Sequence, residues 1–326
     1  MIFRRYRDLS AHGVMGMNRR NVVYIGRYNP RSLFPLVDDK LKTKTLAVEN
    51  GVTVPRLLGV VERQHDVRNI AKLVSQESAF CIKPVKGSGG KGILVIARSQ
   101  DGKYYKTNGQ SLDVSELQRH VSNILAGLFS LGGATDVAMV ESCIRVDGSL
   151  SNYSYEGAPD IRVIVFQGIP VMAMMRLSCS ESNGKANLHQ GAIGVGLDMA
   201  SGTAVNAVQN DNRIDTHPDT QQRLADLCLP QWRRLLSLAC ACYDMTGLGY
   251  LGVDLVMDEQ HGPMLLELNA RPGLSIQIAN NQGLIPHLQK IEAIRHPERW
   301  PIEQRVSYAQ THFGVSTPLE SASEGE

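Results

Sequence analysis

Leu265-Leu-Glu-Leu-Asn-Ala-Arg-Pro-Gly273, read together with Gly252-Val-Asp-Leu-Val256 shortly before it, decides how this chain folds. The spacing predicts two strands, Gly252–Met257 and Pro263–Asn269, that turn near Asp258–Gly262 and pair. Side chains two apart on a strand share a face. Glu267 and Asn269 therefore point one way, while Leu266 and Leu268 point into a core. Asp254 on the partner strand can meet the first pair. Three hard oxygen donors on one wall suit Mg²⁺, which keeps water or phosphate oxygens in its other positions. The plainer alternative is a solvated strand face. It fits less well, because charges framed by apolar residues are costly unless paired.

Further back, Ile82-Lys83-Pro84-Val85 runs into Lys86-Gly-Ser-Gly-Gly-Lys-Gly92. A strand leads a lysine into a flexible loop, and another strand returns. Glycines let backbone N–H groups come close to phosphate oxygens. Lys83 would face the α- or β-phosphate, with Lys86 or Lys91 adding charge. This is no Walker A loop, since neither G-x-x-x-x-G-K-[ST] nor an immediate helix follows. Alone it reads equally as an ordinary turn; beside a downstream metal set it gains meaning.

Outward from these motifs, paired antiparallel strands mix with helices, and the expected fold class is α+β. Helices are expected over about Asp38–Asn50, Asp66–Gln76, Val114–Ser130 and Gln221–Thr246, and across Leu274–Leu288 and Leu288–Arg295. Strands are expected at Ala79–Val85, Ile93–Ala97, Ala138–Ile144, Asp160–Phe166 and Val171–Leu177, with Val52–Val61 as loop and edge strand. The divisions read as a short basic segment 1–37, a subdomain 38–145 with the glycine loop, a subdomain 146–300 with the metal set, and an extension 301–326 ending in a disordered tail.

Net charge is +2, from 34 basic and 32 acidic residues. That balance gives no sign of a nucleic-acid groove. Arg4, Arg5, Arg7, Arg19 and Arg20 crowd the first twenty residues. They read as a solvated terminus or as a docking patch for an acidic partner or membrane surface. The six cysteines show no zinc spacing and fit a reducing compartment. The start lacks an apolar signal region, and no run of about 18 apolar residues predicts a span. The expected location is cytoplasmic.

The order and spacing of these segments resemble the ATP-grasp superfamily, most closely its RimK-type α-L-glutamate ligase-like members. The likeness covers about residues 38–290. It runs from Asp39-Lys40-Leu41 through the glycine loop, Val140-Glu141, Asp160-Ile-Arg162, Ala173-Met-Met-Arg176, Lys185-Ala-Asn187-Leu-His189 and Glu267-Leu-Asn-Ala-Arg-Pro-Gly273. It implies an ATP-grasp fold, in which two α+β subdomains clasp ATP, here with a shortened N-terminal region. Lys40 and Lys83 resemble the lysines that hold the ATP phosphates, with Lys86, Gly87, Ser88, Gly89 and Gly90 as the closing loop. Val140 and Glu141 fall at the adenine-contacting strand, and Asp160 near the nucleotide. Lys185 stands where the family often has arginine, so the charge stays and the planar fork is lost. Arg162 and Arg176 resemble arginines facing the transferred phosphoryl group and carboxylate. Asn187 and His189 border that site, and Arg271 lies within the last motif. Asp254, Glu267 and Asn269 resemble the ligands of two Mg²⁺ ions, with Mn²⁺ a substitute.

The resemblance implies ATP-dependent joining of a carboxylate to an amine through an acyl-phosphate, with an amino acid, possibly glutamate, and a peptide, protein or small acceptor as partners. Only 39 residues precede Lys40, which leads us to expect a homo-oligomer, a partner protein or the Asp147–Pro159 loop to complete the substrate wall. Two other classes stay open: an ATP-grasp kinase of a small molecule, and a non-catalytic nucleotide sensor.

Overall fold

The structure, a computed structural model, describes residues 9–87 and 89–315. Ser88, Arg4, Arg5, Arg7 and the tail from residue 316 lie outside the described residues. The chain forms two compact units. One takes residues 38–45 and 54–145; the other takes the described residues up to 37, residues 46–53, and those from 146 onward.

The smaller unit is built on a four-stranded antiparallel sheet. Its strands are β1 (Leu57–Val61), β7 (Ala138–Ser142), β2 (Phe80–Pro84) and β3 (Leu94–Ile96), in that order. β2 shows why strand periodicity matters. Phe80 and Ile82 are buried in the core, whereas Cys81 and Lys83 alternate to the other face. Helix α3 (Val114–Leu125) covers the core face with Leu117, Val121, Ile124 and Leu125. It starts at a capping box in which the Asp113 side chain accepts from the Glu116 N–H and Glu116 accepts from the Asp113 N–H. A small ladder of β4 (Arg98–Gln100), β5 (Lys103–Tyr105) and β6 (Ser111–Leu112) lies beyond β3 in sequence. Tyr104 from this ladder packs edge-on against Phe80, ring centroids 5.7 Å apart.

The larger unit is built on a seven-stranded antiparallel sheet. Its order is β12 (Asn212–Arg213), β11 (Ala204–Gln209), β10 (Ile193–Leu197), β9 (Ile169–Leu177), β8 (Asp160–Phe166), β13 (Tyr250–Asp258) and β14 (Gly262–Asn269). Helix α4 (Trp232–Thr246) buries Leu235, Leu236, Ala239 and Cys240 and ends at Gly247, whose φ of 68° suits glycine. Asp254 pairs directly with Arg162 on one side and Glu267 on the other. Among the described residues, no helix is long and apolar enough to cross a membrane.

Several expected elements differ. The helix expected from Gln221 begins at Trp232 instead. Pro230 has no N–H to donate and disfavours helix in the residue before it. Residues 221–231 form an irregular stretch, tied by a bridge between Thr216 and Arg223. The helices expected across 274–295 shrink to a turn, Ile276–Ala279, and α5 (Ile285–Glu292). Between them Gly283 sits where a Cβ would lie 2.2 Å from the Gly13 backbone. The helix expected over Asp66–Gln76 is a 3-10 stretch, Gln64–Asn69, followed by one α-turn, Ile70–Leu73.

Two segments gained structure. Within the basic segment, α1 runs as Met17–Arg19, a π-helical Arg20–Ile25 and Gly26–Tyr28, burying Tyr24 and Ile25. Tyr24, Tyr28, Phe166 and Tyr250 form an aromatic cluster beneath it. In the extension, α6 (Ile302–Phe313) packs against β9 and α4 and buries Val306, Ala309 and Phe313. Neither showed a long enough apolar stripe to be read locally.

Candidate active site

Each unit carries one set of the singled-out residues. In the smaller unit, alternation along β2 aims Lys83 away from the core, and its amine pairs with Glu141. Glu141 lies opposite Cys81 in the β2–β7 register and is buried to 2% exposure. Its second oxygen pairs at 2.6 Å with Lys44, whose amine also donates to the Pro55 carbonyl. Burial pushes the Lys44 amine below its ordinary pKa while Glu141 pulls it up. Burial also pushes the neighbouring Cys81 thiol up to about 12, so it stays protonated. β7 lies between β1 and β2, so the ladders on either side engage the Val140 backbone.

The glycine loop is fastened at its start. The Asp136 carboxylate accepts from the Lys86 N–H at 3.0 Å, the Ser130 hydroxyl at 2.6 Å and the Val137 N–H at 2.8 Å. Lys40, from helix α2 (Lys40–Glu49), donates its amine to the Gly87 carbonyl at 2.6 Å. Past that anchor the chain turns through Gly89 and Gly90, at φ 61° and 73°, where an added Cβ would meet no atom within 4 Å. Only glycine takes this backbone without strain, and it leaves the loop's outer side open.

In the larger unit a row of charges crosses one face of the sheet. Asp160 stands opposite Arg176, Arg162 opposite Asp254, and Asp254 opposite Glu267. Arg162 donates through Nε and Nη2 to the two Asp254 oxygens, at 2.7 and 2.5 Å. Arg176 holds Asp160 in the same forked way and reaches Asp254 at 2.9 Å. Asn269 turns its amide nitrogen to Asp254 at 3.3 Å. A bulge at Leu266 leaves that residue half-buried, so the strict inward turn expected of Leu266 holds only for Leu268.

The row's electrostatics follow from who holds whom. Asp254 is buried, which alone would raise its pKa, but two guanidiniums bring it down to about 2. Asp160 is equally buried, has one close arginine and stands near Asp254's charge, which leaves it pushed up to about 6. The two carboxylates push the Arg176 guanidinium up further still, and it keeps its charge.

Lys185 and His189 are exposed on the loop after β9. Asn187 accepts from the His189 N–H at 3.1 Å and caps a 3-10 turn, Leu188–Gln190. Arg271 lies over the Phe34 ring at 5.0 Å.

Four residues without a sequence assignment shape the two sets. Lys44 had a signal: it lies one helical turn past Lys40. Asp136, and Asp219, which accepts from the Ser180 N–H at 2.8 Å and fixes the root of the Lys185 loop, had none. Asn29 had none either. It is 3% exposed and donates to the carbonyls of Tyr250 at 2.7 Å and Ala270 at 3.0 Å, while accepting from the Tyr250 N–H at 2.8 Å. It thereby ties the start of β13 to the end of β14, one residue from Asn269.

Glu267, opposite Asp254 in the ladder, and Asn269 add hard oxygen to the Asp254 carboxylate. That donor chemistry fits Mg²⁺. Among the described residues there is no group of three or more His, Cys, Asp or Glu side chains arranged to hold an ion. The set here is two carboxylates and an amide.

A glycine-loop unit with a lysine–glutamate pair and an antiparallel unit with an acidic, arginine-braced sheet face define the class: this is an ATP-grasp fold. Residues 19–293 match the family described as sugar-transfer associated ATP-grasp, and the chain belongs to that family. Among solved structures it is similar to the ATP-grasp ligase PsnB complexed with minimal precursor, at 14% identity and TM-score 0.42, covering 81% of this chain and 61% of that one. It is also similar to D-cycloserine synthetase DcsG, at 17% identity and TM-score 0.45, covering 81% and 72%. D-alanine–D-alanine ligase from Bacillus anthracis complexed with ATP follows at 13% identity and TM-score 0.43, covering 86% and 66%. The chain spans less than two thirds of the PsnB chain's length. No curated protein matches it.

Proposed function

We propose that this chain is an ATP- and Mg²⁺-dependent ligase that joins a carboxylate to an amine. The observation that carries the reading is the braced row: Asp254 gripped by Arg162 and Arg176, with Glu267 opposite and Asn269 beside it. Asp254, Glu267 and Asn269 would hold Mg²⁺, which supplies neutralisation of charge on the phosphates. Lys40, Lys83, Lys86 and the Gly87–Gly90 loop serve the ATP phosphates, Glu141 and Val140 the adenine, and Asp160 and Lys185 the rest of the nucleotide.

The chemistry asked of the chain is placement and charge stabilisation. A substrate carboxylate oxygen bonds to the γ-phosphorus of ATP, the β–γ P–O bond breaks and ADP leaves. The amine nitrogen then bonds to the acyl carbon, the C–O bond to phosphate breaks, and the amine's proton goes to solvent. Arg162 and Arg176 meet the negative charge that builds on the transferred group; Asn187 and Arg271 orient the substrate. No side-chain nucleophile is required.

The likeness to RimK-type ligases makes glutamate the first carboxylate to try. The family's association with sugar transfer puts amino sugars beside amino acids and peptides among the amines. The test is ADP release with ATP and Mg²⁺ across pairs of these, with mass analysis of the acceptor. A gain equal to the joined molecule less one water supports the ligase. ADP with a phosphorylated acceptor and no amide supports a kinase instead, and binding without turnover supports a sensor.

A further inference from the structure

The basic N-terminal segment is left unused by this reading. Residues 1–37 hold seven arginines against a single aspartate, Asp8, while the whole chain carries only +2, so the remainder is net acidic. Among residues 9–37 there is no acidic side chain at all. Helix α1 is docked on its inner side through Tyr24, Ile25 and Tyr28. Val22, at 74% exposure, and Val23 fall three and four positions after exposed Arg19, and exposed Arg27 falls four after Val23, which is one helical face; Met17, 65% exposed, stands before them, and Arg27 lies over the Tyr28 ring at 5.2 Å. Leu9, 54% exposed, and Arg31 continue the same mixture at either end. Glu292 accepts from the Tyr28 hydroxyl at 2.8 Å on the docked side.

We infer that the outer face of α1, with Leu9 and Arg31, is a docking surface for an anionic lipid bilayer. Charge decides the class of partner. A second copy of the same face would repel it, whereas lipid phosphates accept from guanidinium N–H groups in pairs. The mixture decides between bilayer and acidic protein. Aliphatic side chains alternate with arginines along one exposed helix, rather than lining a groove with aromatic anchors of the kind protein interfaces favour. A bilayer interface takes such a surface as it is, the aliphatic groups entering the acyl boundary and the arginines staying at the headgroups. The inference is independent of the ligase reading.

The test is co-sedimentation of the full chain with vesicles of phosphatidylglycerol and phosphatidylcholine, against phosphatidylcholine alone, at low and high salt. Sedimentation with the anionic vesicles only, weakened by salt, is expected. The R19Q/R27Q pair is expected to bind on the order of tenfold or more weakly, and V22N/V23N to bind more weakly with little change in salt response. Circular dichroism of both variants checks that they fold. No anionic-vesicle binding, equal binding to neutral vesicles, or undiminished binding by both variants overturns the inference. Retention on an acidic polypeptide without vesicle binding overturns it in favour of a protein partner.

Discussion

Arg162 and Asp254 meet in a forked pair, Nε and Nη2 lying 2.7 and 2.5 Å from the two carboxylate oxygens across the β8–β13 ladder. Both side chains are nearly out of water, at 14% and 6% exposure. The pair fixes the Asp254 carboxylate in the plane of the guanidinium, and with it the middle of the charged row.

Replacing Arg162 by lysine keeps the charge and loses the fork. Steady-state kinetics of R162K are expected to show kcat down by about 10²-fold, the cost typical of losing one placed donor. R162A leaves Asp254 with Arg176 as its remaining guanidinium partner, and chemical denaturation should show a loss of roughly 2–4 kcal/mol. Wild-type kcat in R162K would remove this arginine from the chemistry.

Asp160, held up at about 6 by burial and by Asp254, keeps its proton where an unfolded chain has lost it. Its contribution to stability is full below about pH 4 and disappears as pH rises through about 6. Asp254 runs the other way: its contribution is present above about pH 4 and is lost as pH falls through about 2. Turnover is expected to rise through an inflexion near pH 6 as the Asp160 charge forms. That inflexion should be missing from D160N. A wild-type pH profile flat between about 5 and 7 would contradict the assignment.

Asn29 spends both its side-chain polar atoms on Tyr250 and Ala270. N29A strands a buried N–H and two carbonyls, so a loss of about 2–3 kcal/mol is expected on denaturation. Because Ala270 adjoins Asn269, the Mg²⁺ concentration for half-maximal activity should rise in N29A more than kcat falls at saturating Mg²⁺. A fall in stability with unchanged Mg²⁺ dependence would leave Asn29 a purely structural clamp.

Asp136 gathers the Lys86 and Val137 N–H groups and the Ser130 hydroxyl at the start of the glycine loop. D136A frees that start. Calorimetric titration is expected to show ATP binding about tenfold weaker, the equivalent of about 1.4 kcal/mol. Unchanged affinity would mean that the loop needs no such anchor.

Much of the charged sheet face could be read from the chain because strand periodicity is local. Glu267 and Asn269 share a face by spacing alone, and Arg162 and Arg176 sit in strands whose apolar neighbours mark them. The glycine loop is equally local. The pairing of Lys44 with Glu141, 97 positions away, is a tertiary fact, and so is the reach of Asn29 to Tyr250 and Ala270. Helix α1 escaped notice because its buried residues are few and the π-helical stretch breaks the ordinary period. The helix expected from Gln221 ran too far because apolar spacing outweighed the stop that Pro230 imposes.

The central claim is that a substrate carboxylate takes the γ-phosphoryl group. Turnover with a carboxylate substrate labelled at both oxygens with ¹⁸O, glutamate first, followed by mass analysis of the released phosphate, tests it directly. An acyl-phosphate route places one labelled oxygen in each phosphate, formed together with ADP and amide. ADP accompanied only by unlabelled phosphate, or by a phosphorylated acceptor while the carboxylate substrate keeps both labels, would contradict it.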